Sequence, residues 1–137
     1  IARRGAPAHP DELPQFDCIV MSASGAAPSP WRFERDGVIA RHAAPAAKSR
    51  ETNDGAIARA WAVDGHGIAM KSMWDIGGDL AAGRLVVVMP HWHMPDAPVH
   101  ALLRHSRYMP TRVRALLDFL AERFTSVEEE LEALLSQ

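Results

Sequence analysis

Four short stretches of this sequence carry side chains suited to recognising a small molecule. In "TNDG", Thr52, Asn53 and Asp54 stand before an apolar-periodic run. Their side-chain oxygens can accept the orphaned N–H groups of a helix's first turn. A helix start also presents free N–H groups and partial positive charge to a small carboxylate. Asn53 and Asp54 are therefore candidate ligand contacts, with simple capping an equally good account. Lys71 and Ser72 follow the short apolar stretch "GIAM". A lysine at a strand end can pair with an acid group, and a serine can donate a hydrogen bond; the competing reading is an ordinary surface lysine. Trp74 stands close behind as a candidate contact, though tryptophans more often pack in a core or rim. Ser22 and Ser24 stand at the end of the strand "CIVMS" (Cys18–Ser22) and either face the same pocket or make a turn, the turn being favoured.

"HWH" suggests a metal, because on a strand His91 and His93 would share one face. No carboxylate or cysteine stands at a matching interval, and nothing selects His100 or His105 as a third ligand, so a solvated loop is the better reading and no metal or other cofactor is expected. Cys18 lies inside a β-prone run and reads as a small core residue rather than a redox switch. No G-x-S-x-G elbow, phosphate loop or supported carboxylate pair appears, so no enzymatic activity is expected.

These groups need elements to hold them. "CIVMS" reads as a strand, and "WRFER" alternates large apolar with charged residues as a half-buried strand does. Asp36-Gly37 signals a hairpin turn, with "VIARHAA" returning. "GAIARAWAVDGHG" has helical grammar: Ile57 and Trp61 share a face, and Gly65 suits the left-handed stop. "GIAM" is a short strand and "MWDIGGDLAAG" a short helix or turn. "RLVVVMP" reads as a strand buried on both faces, and "PVHALL" (Pro98–Leu103) as another. The closing helix carries Val113, Leu116, Leu117, Leu120 and Phe124 on one apolar face. "SVEEELEALL" continues it or starts anew from a Ser126/Glu129 capping box. Strands alternating with helices indicate an α/β domain with a largely parallel sheet, whose ligands gather at strand C-terminal ends.

The 137 residues allow one domain with a real core. Fifteen Lys and Arg against 17 Asp and Glu give a net charge of −2, which argues against the chain itself binding a polyanion. A single cysteine excludes an internal disulfide and fits a reducing compartment. No apolar run reaches membrane-spanning length. The start at Ile1 suggests a piece of a longer polypeptide.

"TNDGAIARAWAVDGHGIAMKSMWDIGGDLAAGRLVVVMP" closely resembles the second half of the effector-binding domain of LysR-type transcriptional regulators. Asn53-Asp54-Gly55, Gly65-His66-Gly67-Ile68 and "DLAAGRLV" carry the resemblance, and "KSMWD" looks like a variant from one large branch. "RRGAPAHPDELPQFDCIV" and "VRALLDFLAERF" agree, extending it to Phe124. The resemblance implies a type 2 periplasmic-binding-protein fold, in which two Rossmann-like subdomains flank a ligand cleft. Residues 1–96 would then form the second subdomain, and residues 97–137 would return a strand and helix to the first. The implied function is sensing of a small, anionic effector in the cytoplasm, with DNA contacted only through a helix-turn-helix domain missing from this chain. A stand-alone solute-binding protein of the same fold is the runner-up. Homo-oligomers, with domain swapping as one form, are expected of a fragment with unpartnered elements.

Overall fold

The computed structural model describes residues 5–22, 27–95, 98–103 and 109–135. The chain divides into two compact units, Ile1–Pro95 and Asp96–Gln137.

The first unit is mixed α/β and is built around strand β1 (Cys18–Met21). Cys18, Ile19 and Val20 are all buried, which demands an uninterrupted apolar run rather than an alternating one. β1 is flanked by β4 (Ser49–Thr52) and β5 (Ile68–Ala69), both parallel to it. Cys18 pairs with Ser49 on one side and Ile68 on the other, so the three strands start level; β4 follows β1 to the Met21–Thr52 pair, and β5 stops at Ala69, opposite Ile19. Helix α1 (Gly55–Val63) connects β4 to β5 and packs on all three strands. Its closest approach is through Ala58, which is buried, whereas Ile57 stays exposed. Gly65, at φ +77°, ends the helix in the left-handed conformation expected of it. Helix α2 (Met73–Ala81) follows β5.

A hairpin of β2 (Trp31–Arg35) and β3 (Val38–His42) packs beside this sheet. Its turn has positive φ at both Asp36 (50°) and Gly37 (78°), the type I′ geometry that matches strand twist. Trp31 and Phe33 point inward and alternate with half-buried Arg32 and Glu34. They join Leu13, Cys18, Val20, Ile68 and Met89 in one core. Leu13 comes from a 3-10 turn, Pro10–Gln15, placed ahead of β1.

Gly67 is the tightest joint. Its φ is +154°, and a β-carbon there would lie 2.6 Å from the Asp17 carbonyl oxygen. That same carbonyl accepts the Ile68 N–H at 2.9 Å and so starts β5.

Two expected strands do not form. "RLVVVMP" runs as a loop, with Val86 63% and Val87 45% exposed rather than buried. Its ends are pinned instead: Arg84 N–H donates to the Asp79 carbonyl at 2.8 Å, and Glu34 and His93 exchange backbone bonds of 2.7 and 2.8 Å. A strand needs a neighbour to supply half its hydrogen bonds, and among the described residues none pairs with 84–90. In the second unit Pro98–Leu103 is likewise irregular and exposed, with Leu102 at 94%. The end of that unit is one helix, α3 (Thr111–Leu135), which runs unbroken through Ser126, so no capping box forms there. Its apolar stripe is open: Leu116, Phe119, Leu120 and Phe124 are all exposed.

Candidate functional site

The common C-terminal edge of β4, β1 and β5 gathers most of the polar residues singled out from the sequence. At the end of β1, Ser22 N–H donates to the Thr52 carbonyl at 3.1 Å, carrying the ladder one step further. The Ser22 hydroxyl bonds the Glu51 carboxylate. Beyond β4, exposed Asn53 leads into Asp54, whose backbone is extended (φ −112°, ψ 117°) as a cap requires. Asp54 Oδ1 accepts the N–H groups of Ala56 at 2.7 Å and Ile57 at 3.3 Å. Thr52 Oγ1 in turn accepts the Asp54 N–H at 3.1 Å. Asp54 therefore caps α1, and its oxygen occupies the N–H groups that a ligand carboxylate would otherwise take.

Lys71 is not an ordinary surface lysine. Its side chain is only 9% exposed. The ammonium donates to the Gly55 carbonyl at 2.9 Å and pairs with Asp75, four residues on. Gly55 makes room for this, since a β-carbon there would stand 3.1 Å from Lys71 Nζ. One cation thus ties the end of β5 to the first turns of both α1 and α2. Ser72 is the exposed N-cap residue of α2 and makes no side-chain capping bond; its carbonyl accepts the Asp75 N–H at 3.0 Å. Trp74 lies in the same first turn, 43% exposed. Ser24 lies outside the described residues.

Glu51 was not singled out from the sequence, and Gly55 and Asp75 entered only as part of the family resemblance, not as candidate contacts. The four-residue spacing of Lys71 and Asp75 was the available signal. A larger omission is Asp79, the one buried charged residue among those described. Its Oδ2 receives Arg59 Nε at 2.5 Å from α1, and its Oδ1 receives Arg84 Nε at 2.8 Å. The bonds from Arg59 and Arg84 outweigh desolvation and hold its carboxyl below the usual range. Asp79 locks α1, α2 and the following loop together behind the strand ends.

The remaining candidates lie elsewhere. His91 and His93, both exposed, border a shallow depression of about 280 Å³ with Arg35 and Asp36. Among the described residues no group of three His, Cys, Asp or Glu side chains stands close enough to hold a metal; His105 lies outside them. A second depression of about 340 Å³, lined by Asp17, Lys48, Arg50 and His66 among others, sits at the opposite, N-terminal end of the sheet. Cys18 is buried, and desolvation, helped by the Asp17 charge, raises its thiol to about 11. Trp31 belongs to the core and Trp61 is half-buried. No helix among the described residues is long and apolar enough to cross a membrane.

Comparison with known proteins supplies a family. The model of the LysR substrate binding domain matches residues 1–125. The HTH-type transcriptional regulator DmlR of Escherichia coli K12 is 32% identical over 125 residues, covering 90% of this chain and 39% of that protein. The HTH-type transcriptional repressor PA14_22550 of Pseudomonas aeruginosa is 28% identical over 129 residues, covering 94% of this chain and 40% of that protein. The HTH-type transcriptional activator TtdR of Escherichia coli K12 is 29% identical over 110 residues, covering 80% and 34%. The chain spans about two fifths of the length of the first of these relatives.

Proposed function

Because the chain belongs to the LysR substrate binding domain family, we propose that it is the effector-sensing part of a DNA-binding transcription regulator and takes a small anionic ligand. The observation that carries this reading is the convergence of Ser22, Asn53–Asp54, Lys71–Ser72 and Trp74 at one end of a parallel sheet, beside two helix starts. In open α/β sheets ligands bind at that end. Lys71 supplies the cation, Ser72 supplies a hydroxyl donor, Ser22, whose proton goes to Glu51, borders the site, and Trp74 offers an apolar face.

In this reading residues 1–96 are the second subdomain of a type 2 periplasmic-binding-protein fold. Residues 97–137 give a strand and the closing helix to the first subdomain. The division of the chain at Pro95 supports that assignment. So does the irregular backbone of Pro98–Leu103, which pairs with no strand among the described residues. DNA contact belongs to a helix-turn-helix domain outside this chain, a reading that the HTH-type regulators among its relatives support. The protein works in the cytoplasm as a homo-oligomer, with exchange of α3 between copies as one means of covering its stripe. The ligand acts by binding the two arrangements of the cleft with different affinity, without which no equilibrium shifts.

The test is a footprint of the full-length gene product on the DNA upstream of its own gene, titrated with a panel of small organic acids. A bound segment that lengthens, shortens or changes affinity with one acid is the expected result. No protected segment, or a footprint indifferent to every acid, refutes the proposal.

A further inference from the structure

We propose that Lys71 and Asp75 form an exchangeable counter-ion pair: an anionic ligand takes Lys71 from Asp75, and the released carboxylate turns toward Arg59, so that helix α2 registers occupancy. This rests on the ligand-sensing reading above and adds which ligands can operate the site and what moves when they do.

The two partners are unequal. Lys71 is 9% exposed and Asp75 is 42% exposed. An ammonium this little exposed is costly to leave without a counter-charge, whereas a half-exposed carboxylate rehydrates readily. Replacement of Asp75 by a ligand carboxylate keeps Lys71 compensated throughout. A neutral ligand offers no such replacement and leaves the internal pair in place. An ammonium carries three donors, so an incoming oxygen can bind while the Gly55 carbonyl is retained at 2.9 Å.

The released carboxylate also has a destination. Lys71, Asp75 and Asp79 are spaced four residues apart. Asp79 already draws Arg59 of α1 onto this stripe at 2.5 Å. The Asp75 charge helps to keep Arg59 protonated, so the two groups feel each other. The Arg59 side chain is 41% exposed and has room to accept a second acid. Before exchange Asp75 ties the first turn of α2 to β5; afterwards it ties α2 to α1. Two discrete arrangements of one side chain are the kind of element that can couple a binding site to the rest of a fold.

The experiment titrates the full-length gene product with succinate and with its neutral counterpart, succinamide, by calorimetry. Hydrogen exchange at residues 75–78, the first hydrogen-bonded amides of the helix, reports α2. The native protein is expected to bind succinate and not succinamide, with faster exchange at 75–78 on binding. Asp75→Asn, which has no internal competitor, is expected to bind succinate at least about tenfold more tightly, with exchange already fast and unresponsive. Asp75→Ser repeats the measurement if the asparagine variant fails to fold. Lys71→Arg should retain the preference for the acid and Lys71→Gln should lose it. An Asp75 variant that binds succinate no more tightly than the native protein overturns the exchange, as does equal binding of the amide or no binding by any form. The footprint response to the acid panel stands apart from these outcomes, so the exchange can fail while ligand sensing survives.

Discussion

Substitution of Gly67 by alanine tests how the sheet edge is positioned. Two costs add at this joint. The backbone sits at φ +154°, a region that a residue with a β-carbon occupies only under strain, at about 1–3 kcal/mol. The new β-carbon also meets the Asp17 carbonyl oxygen at 2.6 Å and its carbon at 2.9 Å, both backbone atoms that cannot swing aside. Relief requires moving Asp17 away from Ile68, which sacrifices the 2.9 Å bond that opens β5, worth about 1 kcal/mol. The expected loss is therefore about 2–4 kcal/mol. Gly65→Ala is the internal control: its φ is +77° but nothing lies within 4 Å of the added carbon, so it should cost only about 1–2 kcal/mol. Urea denaturation followed by circular dichroism gives both values, and their difference isolates the collision. If Gly67→Ala is no more costly than Gly65→Ala, Asp17 and Gly67 are not in contact as described and the placement of Lys71 loses its support.

Asp54→Ala should destabilise the chain by about 1 kcal/mol through loss of the α1 cap, and Asp54→Ser should recover most of it, both by urea titration. Asp79 is held below its ordinary value of 3.8 by Arg59 and Arg84. Its contribution to stability is thus full above pH 4 or so and is lost as pH falls through the lowered value. Melting temperatures recorded downward from about pH 5 should fall less steeply for Asp79→Asn, which starts lower; an unchanged slope contradicts the linkage. Cys18, raised from 9.0 to about 11, should react with a thiol reagent at pH 8 about a hundredfold more slowly than an exposed cysteine. Denaturation should abolish the difference.

Features fixed by local chemistry were legible in advance. The Asp36-Gly37 turn, the Asp54 cap and the Gly65 stop each depend on a few neighbouring residues, and all three formed as read. The family resemblance, carried by short motifs in order, reached Phe124, and the family model ends one residue later. Features that need a distant partner were not legible. "RLVVVMP" has every attribute of a buried strand, yet pairing is decided by what lies alongside. Lys71 looks like a surface residue, and its ammonium is drawn in by the Gly55 carbonyl, 16 residues earlier, which only the fold brings within reach. Asp79 looks like one more helix-surface acid until Arg59, 20 residues earlier, folds onto it.

The unpaired "LVVVM" between Arg84 and Pro90 has a consequence for handling the chain. Three successive valines without charge or proline, with Val86 and Val87 exposed rather than built into a sheet and only Met89 anchored in the core, are a template for intermolecular cross-β growth. Arg84 and Pro90 flank it as gatekeepers, and Arg84 is kept at that post by Asp79. Loss of that anchor therefore shortens the useful lifetime of concentrated solutions, with fibrils rather than unfolded monomer as the end state.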